Sequence, residues 1–293
     1  MSRADAFSAD WLALREPFDA EARDRAADHL QLKSRLSALR PDAGPWRVMD
    51  LGCGTGANLR WLAPQLGGAQ EWLVVDHDAD LLAHWATRPE LTARAGGLLR
   101  REGPGFSADI VRLQADLARD LDRLPWHAAQ LVTGSALLDL VGEAWLLRLC
   151  ERAAAAGTAL LFSLNVDGVH AWSPADEDDG PIHNLFAAHQ RRDKGLGPAL
   201  GPDAVPRLEA ALRARGYTVF TAPSDWRIGG AAPGDHMGMV RAMVDGIGQA
   251  AIEQDLSRNA LVRRWQRRRL RQLAQTGLRV GHLDLLALAP TRR

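Results

Sequence analysis

The chain has 293 residues, 46% hydrophobic and 25% charged, and its 36 basic and 36 acidic side chains cancel to a formal net charge of zero. Those proportions belong to an ordinary globular protein, and neutrality removes the global field that would gather nucleic acid or an anionic membrane. Two cysteines, Cys53 and Cys150, make neither a metal spacing nor a disulfide framework, the opening MSRADAFSADWLALREPFD holds no apolar leader, and no apolar run is long enough to span a bilayer, so a cytoplasmic protein is expected.

Residues 8–39 read as helix, with Leu12, Leu14, Leu30, Leu32, Leu36 and Leu39 set among charged side chains. Pro17 is expected to divide this stretch into a short helix and a longer one from about Asp19. Pro41, Gly44 and Pro45 then break the chain, which makes 1–44 an amino-terminal helical cap and 45–293 the main domain. Strands are expected at 47–51, 72–76, 110–114, 130–133 and 159–164, with a well-patterned helix over 142–156. Strands alternating with helices predict a parallel sheet covered on both faces. Residues 167–201, rich in Gly, Pro, Asp and His, read as a long inserted loop with one short helix. A helix over 202–215 ends at Gly216, a strand follows at 217–221, residues 235–276 are largely helical, and 280–288 alternates as a closing strand. The span 229–277 is therefore expected to be a helical insertion.

The stretch DLGCGTGANL places Gly52, Gly54 and Gly56 where the first strand hands over to a helix. Glycine there permits positive φ and a close approach of backbone to ligand, and in an open parallel sheet this turn is the usual cradle. With Ala57 the pattern also satisfies G-x-G-x-x-A, so the turn alone leaves a dinucleotide reading open. Asp50, Asp76 in VVDHD and Asp116 in LQADL end three successive strands. Asp50 would repel a pyrophosphate but welcome a ligand carrying an ammonium and a sulfonium.

In VMDLGCGTGANL, VVDHDADLL and QADL the chain resembles the class I S-adenosylmethionine-dependent methyltransferases, over about residues 46–166. The resemblance implies an α/β, Rossmann-like parallel sheet with an antiparallel last strand, helices on both faces, amino-terminal helices and helical or loop insertions. It implies S-adenosyl-L-methionine as cofactor, with Asp50 near the methionyl amine and Gly52, Gly54 and Gly56 along the methionine moiety. Asp76 would hold the ribose, Asp116 would accept from the adenine amino group, and the backbone of Leu117 would lie beside it. His77 and Ser135 complete the implied cofactor contacts.

The acceptor side is less defined. The Asn-Pro-Pro-aromatic motif of amide and exocyclic-amine methylation is absent after the fourth strand, where TGSALLDLVG stands. Asp139 there suits a base, a cation anchor or a helix cap. His170 and His189 are further candidate bases, and His183, Arg191 and Arg15 are candidate acceptor contacts, an arginine clamping an acid group or pairing along its own helix. Histidine spacing gives no metal site, and DEDD reads as a solvated acidic run. RRWQRRRLRQL, in the basic stretch 258–279, reads as an amphipathic helix with a solvated arginine face. Methyl transfer to oxygen or nitrogen of a small molecule is the expected function, with nucleic acid and membrane not expected as partners. An RNA methyltransferase using the basic helix, a non-catalytic cofactor-binding partner subunit and a nicotinamide dehydrogenase are the alternatives.

Overall fold

A computed structural model describes residues 8–229 and 234–290. The first residues of the expected cap, 230–233 of the expected helical insertion and 291–293 lie outside the described residues. Helix α1 (Ala9–Leu30) begins at Ser8, whose side chain accepts from the Trp11 N–H at 3.1 Å. Contrary to the sequence reading, Pro17 does not divide it. A proline inside a helix costs about 3 kcal/mol, but Phe18, Ala22, Ala26 and Leu30 are buried on one face of α1, and burying such side chains returns roughly 1.5–3 kcal/mol for each large one. The helix stops instead at Gln31, which turns left-handed at φ 50° before α2 (Leu32–Ser37).

The sheet is built from β1 (Trp46–Leu51), β2 (Gly68–Asp76), β3 (Leu91–Ala93), β4 (Leu99–Gly103), β5 (Phe106–Gln114), β6 (Leu131–Ser135), β7 (Ala159–Ser173), β8 (Thr218–Pro223), β9 (Trp226–Ile228) and β10 (Gly277–Leu288). Their spatial order is β3-β4-β5-β2-β1-β6-β7-β10-β8, with β9 also paired to β10. The central run β5-β2-β1-β6-β7 is parallel. Strand β10 enters antiparallel between β7 and β8. The β3–β4 hairpin adds an antiparallel edge beside β5 that the sequence reading missed.

Helices α3 (Ala57–Leu66), α4 (Ala79–His84), α5 (Leu117–Asp120), α6 (Glu143–Ala156), α7 (Asp179–Gln190), α8 (Ala204–Arg213), α9 (His236–Gln254) and α10 (Asn259–Arg271) complete the described chain. One core joins Leu146, Leu149, Leu208 and Leu212 of α6 and α8 to Val132, Phe162 and Leu285 of the sheet. A second joins α1, α2 and α3 to β1 and β2 through Leu30, Leu36, Leu62, Trp46 and Trp72. A third gathers Phe18, Trp226, Met239, Val244, Trp265 and Val280 beneath α9 and α10. Alternating strand faces therefore meet helices on both sides, as a parallel sheet requires.

The 167–201 segment differs from its reading as a long loop. Strand β7 runs on to Ser173 because β10 is long enough to pair with it throughout, and α7 has 12 residues. Apolar alternation is weak beyond Asn165 because these positions are half-buried or exposed, so the pattern alone does not show the extended strand.

Candidate active site

The carboxyl end of β1 meets the glycine turn. Gly52, Gly54 and Gly56 take φ of 66°, 50° and 89°, the left-handed region that side-chain-bearing residues avoid. The turn is fixed from beneath, since the Gly52 and Cys53 N–H groups donate to the Val75 carbonyl at 2.9 and 3.0 Å. It is also tightly bordered. A Cβ at Gly54 would meet Leu12 of α1 at 3.2 Å, and one at Gly56 would meet Trp85 at 2.7 Å. The Trp85 indole donates to the Gly54 carbonyl at 2.7 Å.

Asp50 ends up fully buried at the foot of this turn. Asn58, in the first turn of α3, donates to its Oδ1 at 2.8 Å and to Thr133 Oγ1 at 3.1 Å, and buried Arg23 donates to Asn58 Oδ1 at 3.1 Å. Asp50 Oδ2 has no partner among the described residues. Burial is the main cause that pushes the Asp50 carboxyl up to about 7, opposed by the Asn58 hydrogen bond and by Arg23. A buried, half-satisfied carboxylate costs free energy unless a donor or cation reaches it. It suits an ammonium group.

Asp76 closes β2, where its Oδ2 accepts the Gly54 N–H at 2.8 Å and its Oδ1 the Asp78 N–H at 3.0 Å, with His77 Nδ1 at 3.3 Å. An ionised carboxylate offers about four lone-pair sites, so acceptor capacity remains for vicinal hydroxyls. Asp116 caps α5 by accepting the Ala118 N–H at 2.9 Å, and about half of its side chain is exposed. Leu117 buries its side chain in the core, and its carbonyl accepts from Trp145 Nε1 at 2.8 Å. Ser135 is half-buried at the end of β6. The cofactor-side residues named from the sequence thus border the carboxyl ends of β1, β2, β5 and β6. The chemistry of this donor set fits S-adenosylmethionine: an unpartnered buried carboxyl oxygen, a turn without side chains and an acid at the end of β2. Sequence reasoning missed Asn58 and Trp85, which together with Arg23 hold that set in place. The Asn at the second position of α3 was the available clue, since a buried carboxylate needs a donor.

The acceptor-side candidates are distributed differently. His170 packs against His183 and Phe186 of α7, with ring centroids 5.0 and 5.3 Å apart. Burial, reinforced by His183, lowers His170 to about 4. Asp139 keeps its Oδ1 buried and without a partner among the described residues, and burial raises its carboxyl. Arg15 does not present a free fork: Nε and Nη2 donate to Asp19 at 2.9 and 3.2 Å, and its guanidinium lies 4.9 Å from the Trp226 ring centroid. His189 contacts Glu253 of α9 at 3.2 Å, and Arg191 pairs with Asp203 at 2.9 Å on the surface. The structure therefore brings His170 and His183 together, while His189 and Arg191 tie α7 and its following loop to other elements.

The acidic run is not solvated as the sequence suggested. Asp176, Asp178 and Asp179 face the basic helix α10. Arg264 pairs with Asp178 at 3.2 Å and Arg268 with Asp176 at 2.6 Å, and Arg269, itself buried, pairs with Asp179 and donates to the Pro174 carbonyl at 2.7 Å. Trp265 Nε1 adds a bond to Asp179 at 2.8 Å. Two charge runs far apart in sequence neutralise each other, which removes part of the arginine face from any phosphate track. Arg267 remains exposed.

The strand order, with five parallel strands and β10 inserted antiparallel, makes a Rossmann-like α/β sheet. No protein-family model matches the chain, and no curated protein matches it. Among solved structures the chain is similar to a cyclopropane synthase from Mycobacterium tuberculosis, at 12% identity over 89% of this chain and 84% of that one with a TM-score of 0.43. It is also similar to the YcgJ protein of Bacillus subtilis, at 14% identity over 89% and 99% with a TM-score of 0.44. A third is phosphoethanolamine N-methyltransferase 2 of Haemonchus contortus, at 12% identity and a TM-score of 0.41, where 89% of this chain covers only 52% of that one. This chain therefore spans about half the length of that protein. Among the described residues no helix is long and apolar enough to cross a membrane.

Proposed function

We propose that the chain is an S-adenosylmethionine-dependent methyltransferase whose acceptor is a small molecule, methylated on oxygen or nitrogen. The observation that carries this reading is Asp50 Oδ2, buried and without a partner at the foot of a three-glycine left-handed turn. A pyrophosphate has no donor to offer it; a methionyl ammonium does. When bound, the cofactor supplies an electrophilic methyl group on sulfur. Asp50 then fixes the ammonium, the glycine turn admits the methionine chain, Asp76 accepts from the ribose hydroxyls, and Asp116 with the Leu117 backbone faces the adenine.

The remaining work is alignment. Holding donor and acceptor in line can supply roughly 7–11 kcal/mol of barrier lowering without covalent participation. His170 and Asp139 border the carboxyl ends of β7 and β6, where an acceptor would lie next to the methyl group. Zero net charge and the pairing of Arg264, Arg268 and Arg269 with aspartates favour a small molecule over RNA, and a cytoplasmic location accords with this reading. The test is incubation of a metabolite extract with isotopically labelled methyl donor and the protein. Label should appear in one small-molecule fraction and be lost with Asp76→Ala. Label confined to RNA would contradict the acceptor class, and no label in any fraction would contradict the activity.

A further inference from the structure

Strands β7 and β10 slip out of register beside the proposed active site. Val280 lies opposite His170, yet His282 lies opposite Val166, so residues 167–169 of β7 bulge against the single residue Gly281. Gly168 takes φ 89°, and the Asp167 carboxylate accepts the Val169 N–H at 2.8 Å. A Cβ on Gly281 would fall 2.1 Å from Asp167 Oδ1, so only glycine allows this approach. Bulges beside active sites re-aim side chains. Here Val280 and its partner His170 share a sheet face, as do residues two apart on one strand, so His170 and His282 fall on the same side.

We infer that His282 and His170 together form a recognition site for an uncharged, hydroxyl-bearing acceptor. The inference rests on the methyltransferase reading and names the chemistry of its acceptor. Nδ1 of each ring is buried without a partner among the described residues. His282 packs on Trp226 with ring centroids 4.9 Å apart, and His170 packs on His183 and Phe186. Arg15, whose guanidinium acts on His282, is committed to Asp19. Burial holds both imidazoles uncharged at neutral pH, with Arg15 and His170 acting in the same direction on His282 and His183 on His170, against smaller opposing contributions from the Val280 and Gly168 backbone.

The chemistry of the group that satisfies such a pair follows from hydrogen-bond capacity. A neutral imidazole nitrogen is a donor or an acceptor according to tautomer, and a hydroxyl answers either. A carboxylate brings a charge that the committed Arg15 does not meet, and an ammonium can only donate. Both would pay a large desolvation cost in a site this dry. During transfer to oxygen the donor's carbon–sulfur bond breaks with its electron pair left on sulfur. The carbon–oxygen bond forms, and the hydroxyl proton passes to an unprotonated ring nitrogen.

The test uses the full-length protein saturated with S-adenosylhomocysteine and histidine-ring carbon–proton NMR at pH 7.5. Three probes of one shape are titrated: benzyl alcohol, benzoate and benzylammonium. Benzyl alcohol should shift the ring signals of His170 and His282, with the two charged probes leaving them in place. His282→Phe, which keeps a ring against Trp226 and removes both nitrogens, should weaken benzyl alcohol binding by about tenfold, the size of one good hydrogen bond, with S-adenosylhomocysteine affinity retained. Equal or stronger shifts from either charged probe, or no shift from benzyl alcohol, overturn the inference while leaving the methyltransferase reading intact. Failure of S-adenosylhomocysteine to bind removes that reading, and the inference falls with it. The unsubstituted protein decides these outcomes even if His282→Phe does not fold.

Discussion

Asn58 reaches Asp50 with a single 2.8 Å hydrogen bond to Oδ1 and leaves Oδ2 bare. Eight residues separate the two, and the left-handed glycine turn lies between them. The arrangement leaves a buried carboxyl one donor short at the end of the first strand.

Asp50 gives a pH dependence with a defined sign. Its carboxyl rises from 3.8 to about 7 on folding, so between those values the folded state holds more protons than the unfolded state, and the Asp50 contribution falls as pH rises. Asp50→Asn keeps the shape and removes the buried charge. The variant should be more stable than the parent at pH 8, by on the order of 1–4 kcal/mol, and the advantage should vanish below pH 4. Urea denaturation at the two pH values checks this. Its affinity for S-adenosylhomocysteine should fall all the same, because the ammonium loses its counter-charge.

The two histidines act in the opposite direction. His170 falls to about 4 and His282 to about 3 on folding, so their contribution is complete above pH 6.5 and is lost as pH falls toward the folded values. Replacing His282 with Gln should flatten the decline of the thermal midpoint between pH 6.5 and 4. An unchanged acid limb would show that His282 is not held neutral in the fold.

Arginines of the basic helix should divide by their partners. Arg269 is buried against Asp179, so Arg269→Ala strands a charge and should cost roughly 3 kcal/mol of unfolding free energy. Arg267 is exposed, and Arg267→Ala should change stability by less than about 0.5 kcal/mol. Parallel denaturation curves test the pair. Equal effects would mean that α10 is held by its apolar face alone.

The parallel strands were readable in the sequence because each is a short apolar run beside a glycine, proline or acid that ends it. Asp50, Asp76 and the glycines were readable for the same reason, since strand ends and turn chemistry are local. What the sequence hid was set by distant partners. Pro17 does not break α1 because a tertiary face outweighs a local cost. Ser173 belongs to β7 only because β10 is there to pair with it. DEDD and RRWQRRRL each look solvated alone and become a clamp when folding brings them together. His282 carries no motif; only the pairing of β10 with β7 sets it on the same side of the sheet as His170.

Calorimetric titration of the protein with S-adenosylhomocysteine, beside NADH as a control, tests the central claim most directly. The account predicts one site per chain with a dissociation constant in the micromolar range, about −8 kcal/mol. It predicts no measurable NADH binding and at least a tenfold loss with Asp76→Ala, since charged hydrogen bonds of this kind contribute roughly 1.5–3 kcal/mol each. Tight NADH binding, or S-adenosylhomocysteine binding that Asp76→Ala leaves unchanged, would contradict it.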